Sequence, residues 1–134
     1  MYTITREIDF CYGHRLVNHP GKCRHLHGHN GTVEIVLFAE QLNIQGMVRD
    51  FEEIKTLVAS WIEDHLDHKM ILCKTDPIIP ALQSLGETYL LIDDPPTAEV
   101  LAKMIYDYCM TQNLPIYEVG LWENKKSRAS YRRD

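Results

Sequence analysis

The stretch Cys23-Arg24-His25-Leu26-His27-Gly28-His29-Asn30 runs through Gly31 into Thr32-Val33-Glu34-Ile35-Val36-Leu37-Phe38-Ala39, and the whole chain is read outward from it. Its second half is β-branched and apolar enough to be the strongest strand in the sequence. Its first half carries a thiol and three imidazoles. In an extended segment, residues two apart point to the same side, so His27 and His29 form two corners of a metal site near one end of that strand. His14, upstream in Cys11-Tyr12-Gly13-His14, supplies a third. Three neutral histidines leave a tetrahedral zinc one open position, which is the layout of a catalytic rather than a structural zinc. Glu34 is one candidate for holding a ligand imidazole from behind.

Cys23 stands four residues before His27. It can be a fourth zinc ligand that closes the site. It can be a buried bystander. It can also be a thiolate nucleophile or base beside the metal, its ionised form favoured by the cation and by the flanking Lys22 and Arg24. Spacing does not rank the three.

Outward from this stretch the elements follow one another. Tyr2 to Phe10 reads as a half-buried strand, with Tyr2, Ile4, Ile8 and Phe10 on one parity. Asn43-Ile44-Gln45-Gly46 is a turn, and Met47-Val48-Arg49 a short return strand that completes an antiparallel meander. Asp50 caps a helix, with Glu53 placed for a capping box. Ile54, Leu57, Val58, Trp61 and Ile62 give it an apolar face as far as about His65. Thr75 to Pro80 is a loop. Thr88 to Ile92 is a strand stopped by Asp93-Asp94-Pro95-Pro96. Thr97 caps a second helix with the stripe Leu101, Ala102, Ile105, Tyr106 and Cys109, ending near Asn113-Leu114-Pro115. Ile116 to Trp122 is the last strand, with Glu123 at its end, and the basic residues beyond it form a solvated tail. These elements predict an α+β fold, with both helices on one face of an antiparallel sheet.

The chain has 134 residues, 45% hydrophobic and 25% charged, which suits one domain over residues 1–134. A net charge of -5 and a pI near 5.8 argue against a nucleic-acid binder. No apolar run is long enough for a membrane span, and Met1 to Glu7 has no features of a secretory signal. The four cysteines form no paired framework, so reduced thiols and a cytoplasmic location are expected.

Two further places carry chemistry. Asp67-His68, where the chain leaves the first helix, is either a solvated helix end or an orienting carboxylate with a proton-shuttling imidazole. Glu123 is either exposed or a carboxylate that accepts two parallel N–H groups from a guanidine-like ring edge.

Gly13-His14-Arg15-Leu16, Cys-x-x-x-His-Gly-His-Asn over 23–30, Gly46-Met47-Val48-Arg49-Asp50-Phe51, Leu66-Asp67-His68, Pro96-Thr97-Ala98-Glu99 and Glu123 with Tyr131 follow in order along nearly the whole chain. As a set they resemble the 6-pyruvoyl-tetrahydropterin synthase superfamily, and within it the 6-carboxy-tetrahydropterin synthases of queuosine and deazapurine biosynthesis. The resemblance implies a tunnelling fold: a four-stranded antiparallel sheet with two helices on one face. It implies subunits joined through their sheets into a barrel, as a trimer or hexamer with active sites between subunits. It implies zinc on His14, His27 and His29, Cys23 as general base or acid, Asp67 and His68 in the proton relay, and Glu123 anchoring the pterin ring with Thr97 beside it. The implied substrate is 7,8-dihydroneopterin triphosphate. A 6-pyruvoyl product and a non-catalytic, zinc-bearing pterin- or purine-binding oligomer are the alternatives. The chain departs from the common pattern at Gly31, where many members have an aromatic residue, at Arg49, and at Asn124-Lys125-Lys126.

Overall fold

The computed structural model describes residues Met1–Asp134. Six strands form one sheet: β1 (Tyr2–His14), β2 (His27–Ala39), β3 (Lys69–Cys73), β4 (Tyr89–Ile92), β5 (Ile116–Asn124) and β6 (Ser127–Arg132), in the spatial order β4-β3-β1-β2-β5-β6. The long pair β1–β2 is antiparallel from Tyr2↔Ala39 to His14↔His27. β5 joins β2 and β6 joins β5, both antiparallel.

The four-stranded, wholly antiparallel sheet expected from sequence is therefore corrected: the sheet has six strands, β3 runs parallel to β1, and β4 runs parallel to β3. Lys69–Cys73 is too short for its periodicity to declare a strand. Ser127–Arg132 alternates exposed and half-buried residues rich in arginine and serine, the composition of a charge-protected edge strand, and so reads as a tail. Met47–Arg49 is not a strand. The side chain of Asn43 accepts from the amides of Gln45 (2.9 Å) and Met47 (3.0 Å), and Gly46 turns the chain at φ +78°. The segment read as a loop around Pro80 holds a short helix, α2 (Ile79–Ser84).

The two long helices agree with their sequence patterns. The first, α1 (residues 51–65), contains a π-helical stretch at Lys55–Ala59. The Asp50 side chain accepts from the Glu52 amide. Glu53 does not complete the capping box; its carboxylate pairs with Arg49 at 2.5 Å, and Arg49 also donates to the Asn113 carbonyl at 3.1 Å. The second long helix, α3 (Ala98–Thr111), is capped by Thr97, whose hydroxyl accepts from the Val100 amide. Trp61 stacks on Tyr108 at 4.1 Å between ring centroids, and the Tyr108 hydroxyl donates to the Leu57 carbonyl at 2.8 Å, locking α1 to α3.

Both helices bury their stripes on one face of the sheet. Ile8, Phe10 and Tyr12 of β1, Val33, Ile35 and Leu37 of β2 and Val119 and Leu121 of β5 share a core with Ile54, Val58, Ile62, Leu101 and Ile105. The alternate residues Thr3, Thr5, Glu7 and Asp9 are exposed on the other face. That face carries an ion-pair group: Arg128 donates to Glu34 (2.7 Å) and Glu118 (3.0 Å), and the Trp122 ring N–H donates to Glu34 (2.9 Å). The Arg128 guanidinium lies across Gly120, where any Cβ would collide with it. Gly120→Ala is expected to displace Arg128 from both carboxylates and loosen β6, lowering stability by about 1–2 kcal/mol in urea denaturation.

Candidate metal centre and active site

Past Tyr12 the helix-covered face of β1–β2 stops being a hydrocarbon core and becomes a cluster of imidazoles. The register places His14 opposite His27 and Tyr12 opposite His29, so the parity that buries Phe10 and Val33 also turns the three histidines to one side. Their ring centroids lie 4.5–5.1 Å apart, and their ligating atoms all lie within 4.8 Å of one another.

Backbone carbonyls set the ring orientations. Nδ1–H of His14 donates to the Pro96 carbonyl at 2.6 Å, and Nδ1–H of His27 donates to the His25 carbonyl at 2.7 Å. Both rings therefore keep Nε2 as a lone pair for a metal. Nε2 of His14 and Nε2 of His29 stand 3.1 Å apart. A tetrahedral ion with metal–nitrogen bonds of ~2.0–2.1 Å spaces its ligand nitrogens by roughly 3.3 Å, so the trio fits such an ion. His14 is buried, and that burial, reinforced by the neighbouring imidazoles, holds its pKa below the ordinary histidine value despite the Pro96 hydrogen bond and the charge of Glu123. A neutral ring is the form that ligates.

The outer acceptor is thus not Glu34, which points to the opposite face and is occupied by Trp122 and Arg128. Pro96 fills that role for His14, and because Thr97 follows it, the same hydrogen bond brings the start of α3 to the site. Thr97 and Glu123 line one cleft of about 420 Å³ with Leu16, Arg128 and Ser130. Glu123 reaches within 3.9 Å of His14 Nε2. The two residues that the sequence motifs pair, Glu123 and Thr97, are thus walls of a single opening beside the imidazoles.

His68 lines a second cavity, of about 560 Å³, with Cys11, Tyr12, His27 and His29. His68 takes a left-handed backbone, φ 60°, rare for a residue with a side chain. Its amide is held by the Cys11 carbonyl at 2.7 Å. That geometry lets two adjacent side chains meet, against the expectation for neighbours in sequence: His68 Nδ1–H donates to Asp67 at 2.8 Å. Asp67 also accepts from the Cys11 amide at 2.9 Å. Burial alone would raise the Asp67 carboxyl; the Cys11 amide and His68 outweigh it and hold its pKa below the usual range. The Cys11 thiol is 3.4 Å from His68 Nε2. The His68 side chain is 78% exposed.

Cys23 lies in a single 3-10 turn, Lys22–Arg24, with its carbonyl accepting from the Leu16 amide at 2.8 Å. It is not a member of the imidazole cluster, and within one chain the partner of Asp67 and His68 is Cys11. Cys11, Tyr12 and the Pro96 carbonyl were not singled out from sequence. For Tyr12 a signal existed, since its parity with His14 puts both on one side of β1. For Cys11 and Pro96 the contacts join residues 56 and 82 positions apart, and no local pattern records them.

A three-imidazole cluster at the end of a mixed sheet, opposite a carboxylate in a cleft, defines an α+β protein with a candidate metal site. Residues 3–134 match the family model described as 6-pyruvoyl tetrahydropterin synthase, and the chain belongs to that family. Among its relatives, a protein of Rickettsia bellii named 6-carboxy-5,6,7,8-tetrahydropterin synthase is 38% identical over 76% of this chain and 75% of its own length. One of the same name from Haemophilus influenzae is 30% identical over 98% of this chain and 99% of its own. The crystal structure of an uncharacterised protein from Wolinella succinogenes superposes with a TM-score of 0.85 at 26% identity, covering 99% of this chain and 98% of that one. The 6-pyruvoyl tetrahydropterin synthase of Caenorhabditis elegans, 22% identical, shares the fold with a TM-score of 0.72 over 99% and 96% of the two chains.

Replacing His14, His27 or His29 by alanine is expected to abolish stoichiometric metal retention by elemental analysis, whereas Cys23→Ala retains it. The depressed His14 value also sets a pH dependence in the metal-free protein. The unfolded chain binds a proton below about 6.5 while folded His14 resists it, so stability is full above that pH and falls as the pH drops toward the folded value. Urea midpoints between about pH 7 and 5 are expected to fall less steeply for His14→Asn than for the parent.

Proposed function

We propose that this chain is a zinc-dependent 6-carboxy-5,6,7,8-tetrahydropterin synthase, a lyase that eliminates triphosphate from 7,8-dihydroneopterin triphosphate and cleaves the remaining side chain, in queuosine and deazapurine biosynthesis. The observation that carries the reading is the convergence of three imidazoles beside the cleft that holds Glu123 and Thr97. The relatives' shared name selects the 6-carboxy branch.

His14, His27 and His29 would hold the zinc, which when bound would supply a Lewis acid for the substrate's side-chain oxygens. Glu123 accepts the two N–H groups of the pterin edge, with Thr97 beside it, and so fixes the ring relative to the imidazoles. Lys22 and Arg24 meet the triphosphate. The Cys23 thiolate takes a proton from the side-chain carbon, and His68, oriented by Asp67, carries protons to and from the reacting atoms.

Because Asp67 and His68 meet Cys11 and not Cys23 inside one chain, the relay is completed between subunits, His68 being exposed enough to reach a neighbour. β4 and β6 are the edges of the sheet; β6 is protected by its arginines, whereas β4, Tyr89–Ile92 with Leu91 exposed, is an apolar edge that favours pairing with a second copy. Both features support a barrel-forming trimer or a hexamer. The 6-pyruvoyl activity is the second reading, supported by the description of the family model that residues 3–134 match.

Mass spectrometry after incubating zinc-loaded protein with 7,8-dihydroneopterin triphosphate is expected to show a 6-carboxy-tetrahydropterin with acetaldehyde released; a 6-pyruvoyl product would move the chain to the second reading. Cys23→Ala is expected to keep zinc and assembly while turnover falls by roughly 10²–10⁴-fold. Size-exclusion chromatography is expected to show an oligomer, and an active monomer would remove the inter-subunit relay.

A further inference from the structure

The hydroxyl of Tyr12 is buried and finds no hydrogen-bond partner. The ring is 3% exposed and stacks on Phe10 with centroids 5.0 Å apart. For packing alone phenylalanine would serve better, because a buried hydroxyl left unpaired is destabilising. The position of the ring says where the hydroxyl is of use. A Cβ at Gly31 would lie 3.1 Å from Tyr12 Cε1 and 3.4 Å from Leu121 Cδ1. Tyr12 therefore leans from β1 across β2 at Gly31 toward Leu121 of β5. Glu123 stands two residues further along β5, at the bulge between Trp122 and Asn124, within 3.9 Å of His14 Nε2, and its charge bears on the phenol. No hydrogen bond in the chain holds its own carboxylate, whose side chain is 23% exposed.

A buried donor without an acceptor thus lies within electrostatic reach of an acceptor without a donor. We propose that Tyr12 is a positioning residue for Glu123: with a pterin seated, its hydroxyl donates to one carboxylate oxygen and fixes the plane in which Glu123 receives the two ring N–H groups. Each carboxylate oxygen can accept more than one hydrogen bond, so the Tyr12 bond and the pterin bonds do not compete. Gly31 is part of the device, since a side chain there would occupy the path of the ring. The inference rests on the reading of Glu123 as the pterin anchor.

The test is a double-mutant cycle on the zinc-loaded full-length protein and on its zinc-free form, read as the dissociation constant of 7,8-dihydroneopterin by calorimetry. Tyr12→Phe is expected to weaken binding about tenfold in both forms, the effect of losing one hydrogen bond to a charged group. It is expected to keep zinc content and to leave the melting temperature equal or higher. KM rises while kcat changes little. Glu123→Gln, which retains one acceptor oxygen and so measurable binding, is expected to weaken binding more, and adding Tyr12→Phe to it to cause a smaller further loss than in the parent, because the hydrogen bond then goes to a neutral amide oxygen and not to a charged carboxylate. Parental affinity in Tyr12→Phe, or the same loss in both backgrounds, would overturn the proposal while leaving Glu123 as the anchor. Parental affinity in Glu123→Gln would overturn the anchor and, with it, this role for Tyr12.

Discussion

The register of β1 against β2 is the constraint on which the rest depends. Thirteen residues of each strand pair without a break, from Tyr2↔Ala39 to His14↔His27. Side chains alternate between faces, so a slip of one residue would send Ile8, Phe10, Val33 and Ile35 to the polar face and scatter the imidazoles. The burial of the apolar residues holds the register, and the register assembles the imidazole cluster. The three rings thus sit on paired backbone rather than on a loop, which is what a preorganised site requires.

A second link, the His14–Pro96 hydrogen bond, couples the sheet to the helical layer. It sets the tautomer of one imidazole and delivers Thr97 to the same opening as Glu123. β1 also serves its other side: Cys11, one parity away from Tyr12, offers its amide to Asp67 and its carbonyl to the His68 amide. One strand end therefore organises both the imidazoles and the Asp–His pair, and His68 shares a cavity with His27 and His29. The side to which Cys11 and Tyr12 turn follows from the period of two.

Much of this was legible from local pattern. Helices α1 and α3 declared themselves because their stripes repeat with the helical period and because Asp50 and Thr97 are strong caps. β2 declared itself by its β-branched run. The His-x-His spacing and the histidine at the end of the adjacent strand picked out three imidazoles that the fold does bring together. The parallel strand β3 was hidden, being five residues long with no alternation. β6 was hidden by its charges, which are there because it is an edge. Glu34 was misread because its position relative to the histidines depends on face, not on distance along the chain.

By itself the sequence determined the α+β class, the apolar face of each long helix, the three imidazoles and the family to which the chain belongs, because each is written in local spacing or in an ordered series of motifs. Only the tertiary structure decided the six-stranded mixed sheet, the carbonyl that orients His14, the company of Asp67 and His68 with Cys11, and the approach of Tyr12 over Gly31 toward β5. These are contacts between residues far apart in the chain. Their formation depends on which strands pair and on how the core closes, and no residue's immediate neighbours carry that information.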